Sequence, residues 1–216
     1  RPPPKGKVAG SSPAGVATSN GGVRMIRSAQ LQAFLDQSER FLRQDCTGPA
    51  AAAADRLCAR WAETGAPRAP TPEWPTACAW LEPALAAAAT GPRADLAKAF
   101  AALVPDLSWK RRSSARPEDA VFWNGHANAT IIGPGGLEER DDLWVGASVL
   151  GPRVDYVAHD HPPEEVYLSL SPGEWWNAEM DWTDPGPAGA IYNPPGILHR
   201  MRAVDVPFLA LWYLPA

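Results

Sequence analysis

The sequence predicts an α-helical N-terminal region followed by an antiparallel β-barrel or sandwich. Three observations predict it. Large apolar residues recur at helical spacing between Ser28 and Leu103. Beyond Arg116-Pro117, short β-type segments follow one another closely, separated by turn residues. Residues 1–22 are rich in Pro, Gly and Ser and nearly free of large apolar groups, too little to offset the cost of ordering. The 216 residues suffice for one sizeable domain with an extension. The expected organisation is a flexible tail over 1–27, a helical region over 28–115 and a β-barrel carrying the functional site over 116–216.

Taken in order, Ser28 is an N-cap for a first helix whose Leu31, Phe34, Leu35, Phe41 and Leu42 share a face. A second helix is expected from Pro49 through Trp61, with Leu57, Cys58 and Trp61 on one side, stopped by Thr64-Gly65-Ala66-Pro67. Trp74–Ala89 and Ala94–Leu103 read as further helices, parted by Thr90-Gly91-Pro92. Then the periodicity changes. Val121–Trp123 and Thr130–Ile132 flank Asn124-Gly125, a hairpin signal. Strands are expected over Leu143–Leu150, Val154–His161, Glu165–Leu170, Glu174–Trp182, Ala190–Asn193, Leu198–Ala203 and Pro207–Leu214. That many short strands without helical patterns between them argue for a closed or double-layered sheet.

The bulk numbers narrow the function classes. A net charge of −4 offers no basic face for nucleic acid, and Lys110-Arg111-Arg112 reads as a solvated loop. No stretch is long and apolar enough for a membrane span. The opening R-P-P-P-K-G-K lacks the apolar core of a signal peptide, so a cytoplasmic protein is expected. Cys46, Cys58 and Cys78 have no C-x-x-C spacing and read as buried, inert thiols.

Chemistry concentrates elsewhere. Three of the four histidines fall in Y-V-A-H-D-H-P-P-E-E-V-Y (Tyr156–Tyr167) and in P-P-G-I-L-H, which ends at His199. His159 and His161 are two apart, so on a strand they leave the same face. Glu165 follows after Pro162-Pro163, and His199 arrives beyond a Pro-Pro-Gly turn. Three imidazoles and a carboxylate suit one divalent transition metal (Fe, Mn, Zn, Ni or Co). His126 fits neither stretch and reads as a surface residue beside the Asn-Gly turn. Glu164 is expected to face solvent or to support the ligands. Tyr167 lies two beyond Glu165 and shares its face, whereas Tyr156, three before His159, is out of phase unless the strand bulges.

These residues resemble the cupin superfamily. His159-Asp160-His161-x3-Glu165 with Gly173 is similar to its first motif, and Gly189-x4-Pro194-x-Gly196-x2-His199 to its second. Gly151 stands two residues early, Gly173 one late, and Ala203 takes a usual Asn position. Tyr156-x2-His159-x-His161-x3-Glu165-x-Tyr167 followed by His199 resembles the dimethylsulfoniopropionate (DMSP) lyases among bacterial cupins. That resemblance implies a double-stranded β-helix with a helical N-terminal extension, and His159, His161, Glu165 and His199 as metal ligands. It also implies Tyr167 as catalytic base, with Tyr156 beside it as partner or substitute. The implied reaction is β-elimination of DMSP to acrylate and dimethyl sulfide, the metal holding the carboxylate. A sulfonium has no hydrogen-bond donor and calls for an aromatic wall. Trp144, Trp175, Trp176, Trp182 and Trp212 are candidates for it. The competing classes are a cupin oxygenase or isomerase and a non-catalytic small-molecule binder. Exposed barrel edges leave room for a homodimer.

Overall fold

The computed structural model describes residues 27–216. Apart from Arg27, whose guanidinium pairs with the buried Glu138, the expected tail lies outside the described residues. Ser28 caps α1 (Ala29–Asp45), its hydroxyl accepting from the Leu31 N–H at 3.2 Å. The apolar face anticipated for α1 is buried; each such Leu or Phe contributes roughly 1.5–3 kcal/mol. Helix α2 (Gly48–Arg60) has Pro49 in its first turn and buries Ala53, Ala54 and Leu57.

The single helix expected over Trp74–Ala89 is divided. A 3-10 turn covers Thr76–Trp80, and α3 runs only from Leu81 to Ala88. Pro83 has no N–H for a longer helix to use, so it sits in the first turn of α3. Helix α4 (Ala94–Ala101) buries Leu96, Ala97 and Phe100.

Twelve strands make two sheets among the described residues. Strands β1 (Ala66–Pro67), β2 (Trp109–Lys110), β3 (His126–Ile132), β4 (Glu138–Glu139) and β5 (Trp144–Leu150) join β7 (Glu165–Ser169), β10 (Ala190–Asn193) and β12 (Phe208–Leu214). Their order is β1-β4-β3-β5-β12-β7-β10, with β2 on β3. The smaller sheet is β6-β11-β8-β9, from β6 (Asp155–His159), β11 (His199–Arg202), β8 (Glu174–Asn177) and β9 (Met180–Thr183). The one strand expected over Glu174–Trp182 is thus a hairpin. Among the described residues only β3–β4 pairs parallel.

Period-two alternation decides what each face does. Val166 and Leu168 of β7, with Leu209, Leu211 and Tyr213 of β12, join the cluster that the helices cover. Tyr167, Phe208 and Ala210 point the other way, into a second cluster with Tyr156, Trp175 and Met201 of the small sheet. The cavity that the predicted site residues line lies between the sheets. Arg93, 2% exposed at the start of α4, fastens the helical layer to the barrel. It binds Asp45 of α1 and donates to the carbonyls of Ser169, Ala188 and Gly189 beside β7 and β10.

Two expectations near residue 125 are corrected. Asn124-Gly125 is not a hairpin turn, and Val121–Trp123 is not a strand. Asp119 accepts from the Phe122 N–H and starts a short helix, α5 (Ala120–Gly125), which passes straight into β3. The glycine serves close approach instead: a Cβ there would come within 2.4 Å of Val154. His126 is not a surface residue either. It is fully buried, stacked on Phe122 with ring centroids 3.7 Å apart. Its Nδ1–H donates to the Phe122 carbonyl (2.5 Å), and its Nε2 accepts from the Arg112 N–H (2.9 Å).

Candidate functional site

Four elements deliver the predicted ligands to one place. His159 ends β6, His199 opens β11, and the two are cross-strand partners in the small sheet. Glu165 opens β7 in the large sheet. His161 lies not on the strand with His159 but in the turn after it. Gly196, at φ +70°, reverses the chain after Pro194-Pro195, and its N–H donates to the His161 carbonyl at 3.0 Å. This bond ties the two histidine stretches together.

The imidazoles converge. Ring centroids are 4.1 Å apart for His159–His199, 4.9 Å for His161–His199 and 6.1 Å for His159–His161. One nitrogen from each lies within 4.8 Å of the others. Every Nδ1 faces a nearby carbonyl: His159 to Val157 (3.0 Å), His161 to Pro163 (2.9 Å) and His199 to Ile197 (2.9 Å). Those contacts place the proton on Nδ1 and leave each Nε2 with a lone pair. The Nε2 atoms of His161 and His199 are buried and without hydrogen-bond partners. They nevertheless stand 3.3 and 3.2 Å from the same Glu165 oxygen, Oε2. Lone pairs facing a carboxylate at that range need positive charge between them. Ligands about 2.0–2.2 Å from a tetrahedral ion lie roughly 3.4 Å from one another, a spacing that Glu165 matches with His161 and with His199; His159 joins through the looser histidine cluster, of which Glu165 is not a member.

Electrostatics set an ionised carboxylate among the histidines and hold His159 neutral. Burial, with His199 next to it, pushes the His159 imidazole down to about 4. Burial pushes Glu165 up, but His161 and His199 prevail and hold it well below the usual carboxylate range. The same carboxylate raises His161 against burial. Asn193, itself held by Asn177, donates to Glu165 Oε2 at 3.3 Å. Glu164 turns away. It takes a two-pronged ion pair from Arg56 of α2 and a bond from the Tyr192 hydroxyl.

Both tyrosines reach the cavity, and each is 3% exposed. Tyr167 does so by simple alternation from Glu165. Tyr156 does so through a bulge: His159 pairs with His199 and Tyr156 with Met201, so two β6 residues oppose one β11 residue. The hydroxyl of Tyr156 accepts from Asn128 Nδ2 at 2.7 Å, and Ser148 donates to Asn128 Oδ1 at 2.7 Å, which fixes the amide orientation. Burial raises the Tyr156 phenol, while Arg112 and Asn128 act against it. Burial and the adjacent Glu165 carboxylate raise Tyr167 well above 10.

The cavity, about 200 Å³, is smaller than the roughly 300–1,000 Å³ of sites for drug-sized ligands, so it suits a small one. Trp144 and Trp212 line it. Trp175 does not; it packs behind Tyr167 and against Phe208. Trp182 lies under Arg200 and Arg202. Arg112 corrects an expectation: this member of the basic run lines the cavity instead of facing solvent alone. Asn128, Ser148 and Arg112 escaped the sequence reading. For Asn128, a polar side chain between Ala127 and Ala129 along β3 was the available signal. The cysteines are buried, as expected. Burial pushes Cys46 up to about 11 and Cys58 and Cys78 to about 12.

A two-sheet barrel with three imidazoles and a carboxylate turned inward from the two histidine stretches defines a cupin. The family model for DMSP lyase matches residues 50–210. The chain belongs to the DMSP lyase family. It is 32% identical over 118 residues to the DMSP lyase DddQ of Ruegeria pomeroyi, a match spanning 52% of this chain and 57% of that relative. The crystal structure of DddQ from that organism superposes with a TM-score of 0.68 at 22% identity, covering 88% of this chain and 93% of the other. A chain from the crystal structures of the DMSP lyases RdDddP and RnDddQII gives 0.62 at 19%, covering 87% and 93%. These two likenesses establish the fold, helical extension included. No helix among the described residues is long and apolar enough to cross a membrane.

Proposed function

We propose that this protein cleaves DMSP to acrylate and dimethyl sulfide in a metal-dependent β-elimination. The observation that carries the reading is the meeting of His159, His161 and Glu165 with Tyr167 and Tyr156 at one small, tryptophan-walled cavity, with His199 buried against His159, His161 and Glu165. Family membership supports DMSP as the substrate.

The four ligands are His159, His161, Glu165 and His199, their Nε2 lone pairs already presented by the backbone carbonyls behind them. A divalent transition metal bound there supplies a Lewis acid for the substrate carboxylate and the positive charge that lets a buried phenol ionise. Tyr167 then serves as base. Its phenolate takes a proton from the carbon α to the carboxylate, and the C–H electron pair becomes the new C=C bond. The C–S bond breaks with its pair, so the sulfonium departs as neutral dimethyl sulfide. Tyr156, with its hydroxyl oriented by Asn128, supports Tyr167 or takes its place. Trp144 and Trp212 offer ring faces to the sulfonium.

The deciding experiment is a headspace measurement of dimethyl sulfide after adding DMSP, with metal analysis of the same preparation. Release stoichiometric with acrylate, without oxygen consumption, is expected. Oxygen uptake on small carboxylates with no sulfide released supports an oxygenase instead.

A further inference from the structure

Arg112 lies between β2 and α5, and its backbone is fixed from below. His126 Nε2 receives its N–H, and His126 is itself clamped by the Phe122 carbonyl and ring. The side chain is thereby carried over Tyr156, its Cζ 5.8 Å from the ring centroid, while Nε donates to Ser114 at 3.0 Å. Among the described residues no carboxylate lies within 4.0 Å of this guanidinium, unlike those of Arg56, Arg93 and Arg140. Among the described residues it contributes the only lysine or arginine to the cavity wall, where the only carboxylate, Glu165, is already engaged by two histidines and Asn193.

A guanidinium with no carboxylate partner is misplaced in a pocket meant only for a cation, since it would repel a sulfonium. It suits a ligand with an anionic end, because a planar fork of donors matches a carboxylate and a half-buried setting strengthens the pair. We infer that Arg112 receives one oxygen of the carboxylate of the substrate and of the acrylate product, the other oxygen being left for the metal site, and so selects small carboxylates and orients the sulfonium end towards Trp144 and Trp212. For the substrate's identity this rests on the lyase reading; for the ligand class it rests on the cavity alone. Arg112 is a binding residue here, not a base.

The test compares acrylate with its neutral counterpart acrylamide by calorimetric titration of the purified protein, with metal content measured alongside. Wild type should prefer acrylate by at least about tenfold, as expected for a charge-assisted contact. In Arg112→Met that preference should fall by about tenfold or more, and Arg112→Lys should regain part of it. The KM for DMSP should rise by a similar factor in Arg112→Met, with kcat changing much less. Every variant keeps the backbone N–H that His126 needs, and Arg112→Gln replaces the Met variant if that one melts early.

Wild type binding both ligands alike, or neither, overturns the inference. So does a folded, metal-replete Arg112→Met or Arg112→Gln whose acrylate affinity stays within about twofold. If wild type releases no dimethyl sulfide yet binds acrylate in an Arg112-dependent way, the lyase reading fails and the carboxylate site stands. If sulfide release is normal and KM ignores Arg112, only the carboxylate site fails.

Discussion

Replacing Arg93 by methionine should cost about 3–5 kcal/mol of folding stability, the range for removing one partner of a buried ion pair. Side-chain exposure is 2% for Arg93 and 7% for Asp45, so solvent cannot compensate. The guanidinium spends all its donors: Nε and Nη2 on Asp45 at 2.9 and 2.7 Å, Nη1 on Ser169 and Gly189 at 2.6 and 3.0 Å, and Nη2 also on Ala188 at 2.9 Å. Methionine fills the apolar stem but strands a buried carboxylate and three carbonyls. At roughly 2–4 °C per kcal/mol for a domain of this size, the midpoint should drop by roughly 6–20 °C. The assay is urea and thermal unfolding followed by circular dichroism. Asp45→Asn with Arg93→Met removes both charges and should recover a substantial part of the loss. A single mutant within about 1 kcal/mol of wild type, or a double mutant no better than the single, refutes the proposed clamp between helices and barrel.

Other changes act on the site itself. Tyr167→Phe should lower turnover by about 10²–10⁴, the usual share of a general base, with metal content and melting unchanged; wild-type activity in it ends the base assignment. His159→Ala and His199→Ala should both lose metal and activity, and stoichiometric metal retained in either counts against ligation. Asn128→Ala removes the donor that orients Tyr156 and should reduce turnover by about tenfold, with little change if Tyr156 merely packs. His126 is held neutral, lowered chiefly by burial, so the unfolded chain binds its proton first on acidification. Stability should therefore fall as pH drops below about 6.5, and the stability gap between wild type and His126→Phe should narrow from pH 7 to 5. A gap that widens over that range contradicts a neutral His126.

The candidate ligands were legible because their chemistry is rare and their spacing local. His159, His161 and Glu165 sit within seven positions, and Tyr167 follows Glu165 with strand period. The helices of residues 29–60 were legible because their apolar stripes repeat over several turns. What escaped was set by partners distant in sequence. Nothing near Tyr156 encodes the bulge, which depends on how β6 registers with β11. Arg112 has the look of a solvated basic run, and only the buried His126 behind its backbone turns it inwards. Asn124-Gly125 carries hairpin chemistry, yet the Asp119 cap and the close approach of Val154 give it a helix end. Arg93 follows an ordinary Gly-Pro turn, and its carbonyl partners lie more than 70 positions away.

The charges around the cavity make the need for a cation sharper than the ligand count alone does. One ionised carboxylate, Glu165, stands beside a fully buried phenol, Tyr167, and both burial and that carboxylate oppose loss of the phenol's proton. Arg112 offsets part of this from across Tyr156, but its effect is the weakest of those acting on Tyr167. Protein stripped of metal by a chelator should therefore be inactive at pH 7 and stay inactive at pH 9. With Tyr167 raised well above 10, two pH units still leave almost no phenolate. Activity should return only when a divalent ion is added back. A stripped preparation that releases dimethyl sulfide at pH 9 at a sizeable fraction of the reconstituted rate would mean that the proton is taken by another group, one that needs no cation to ionise.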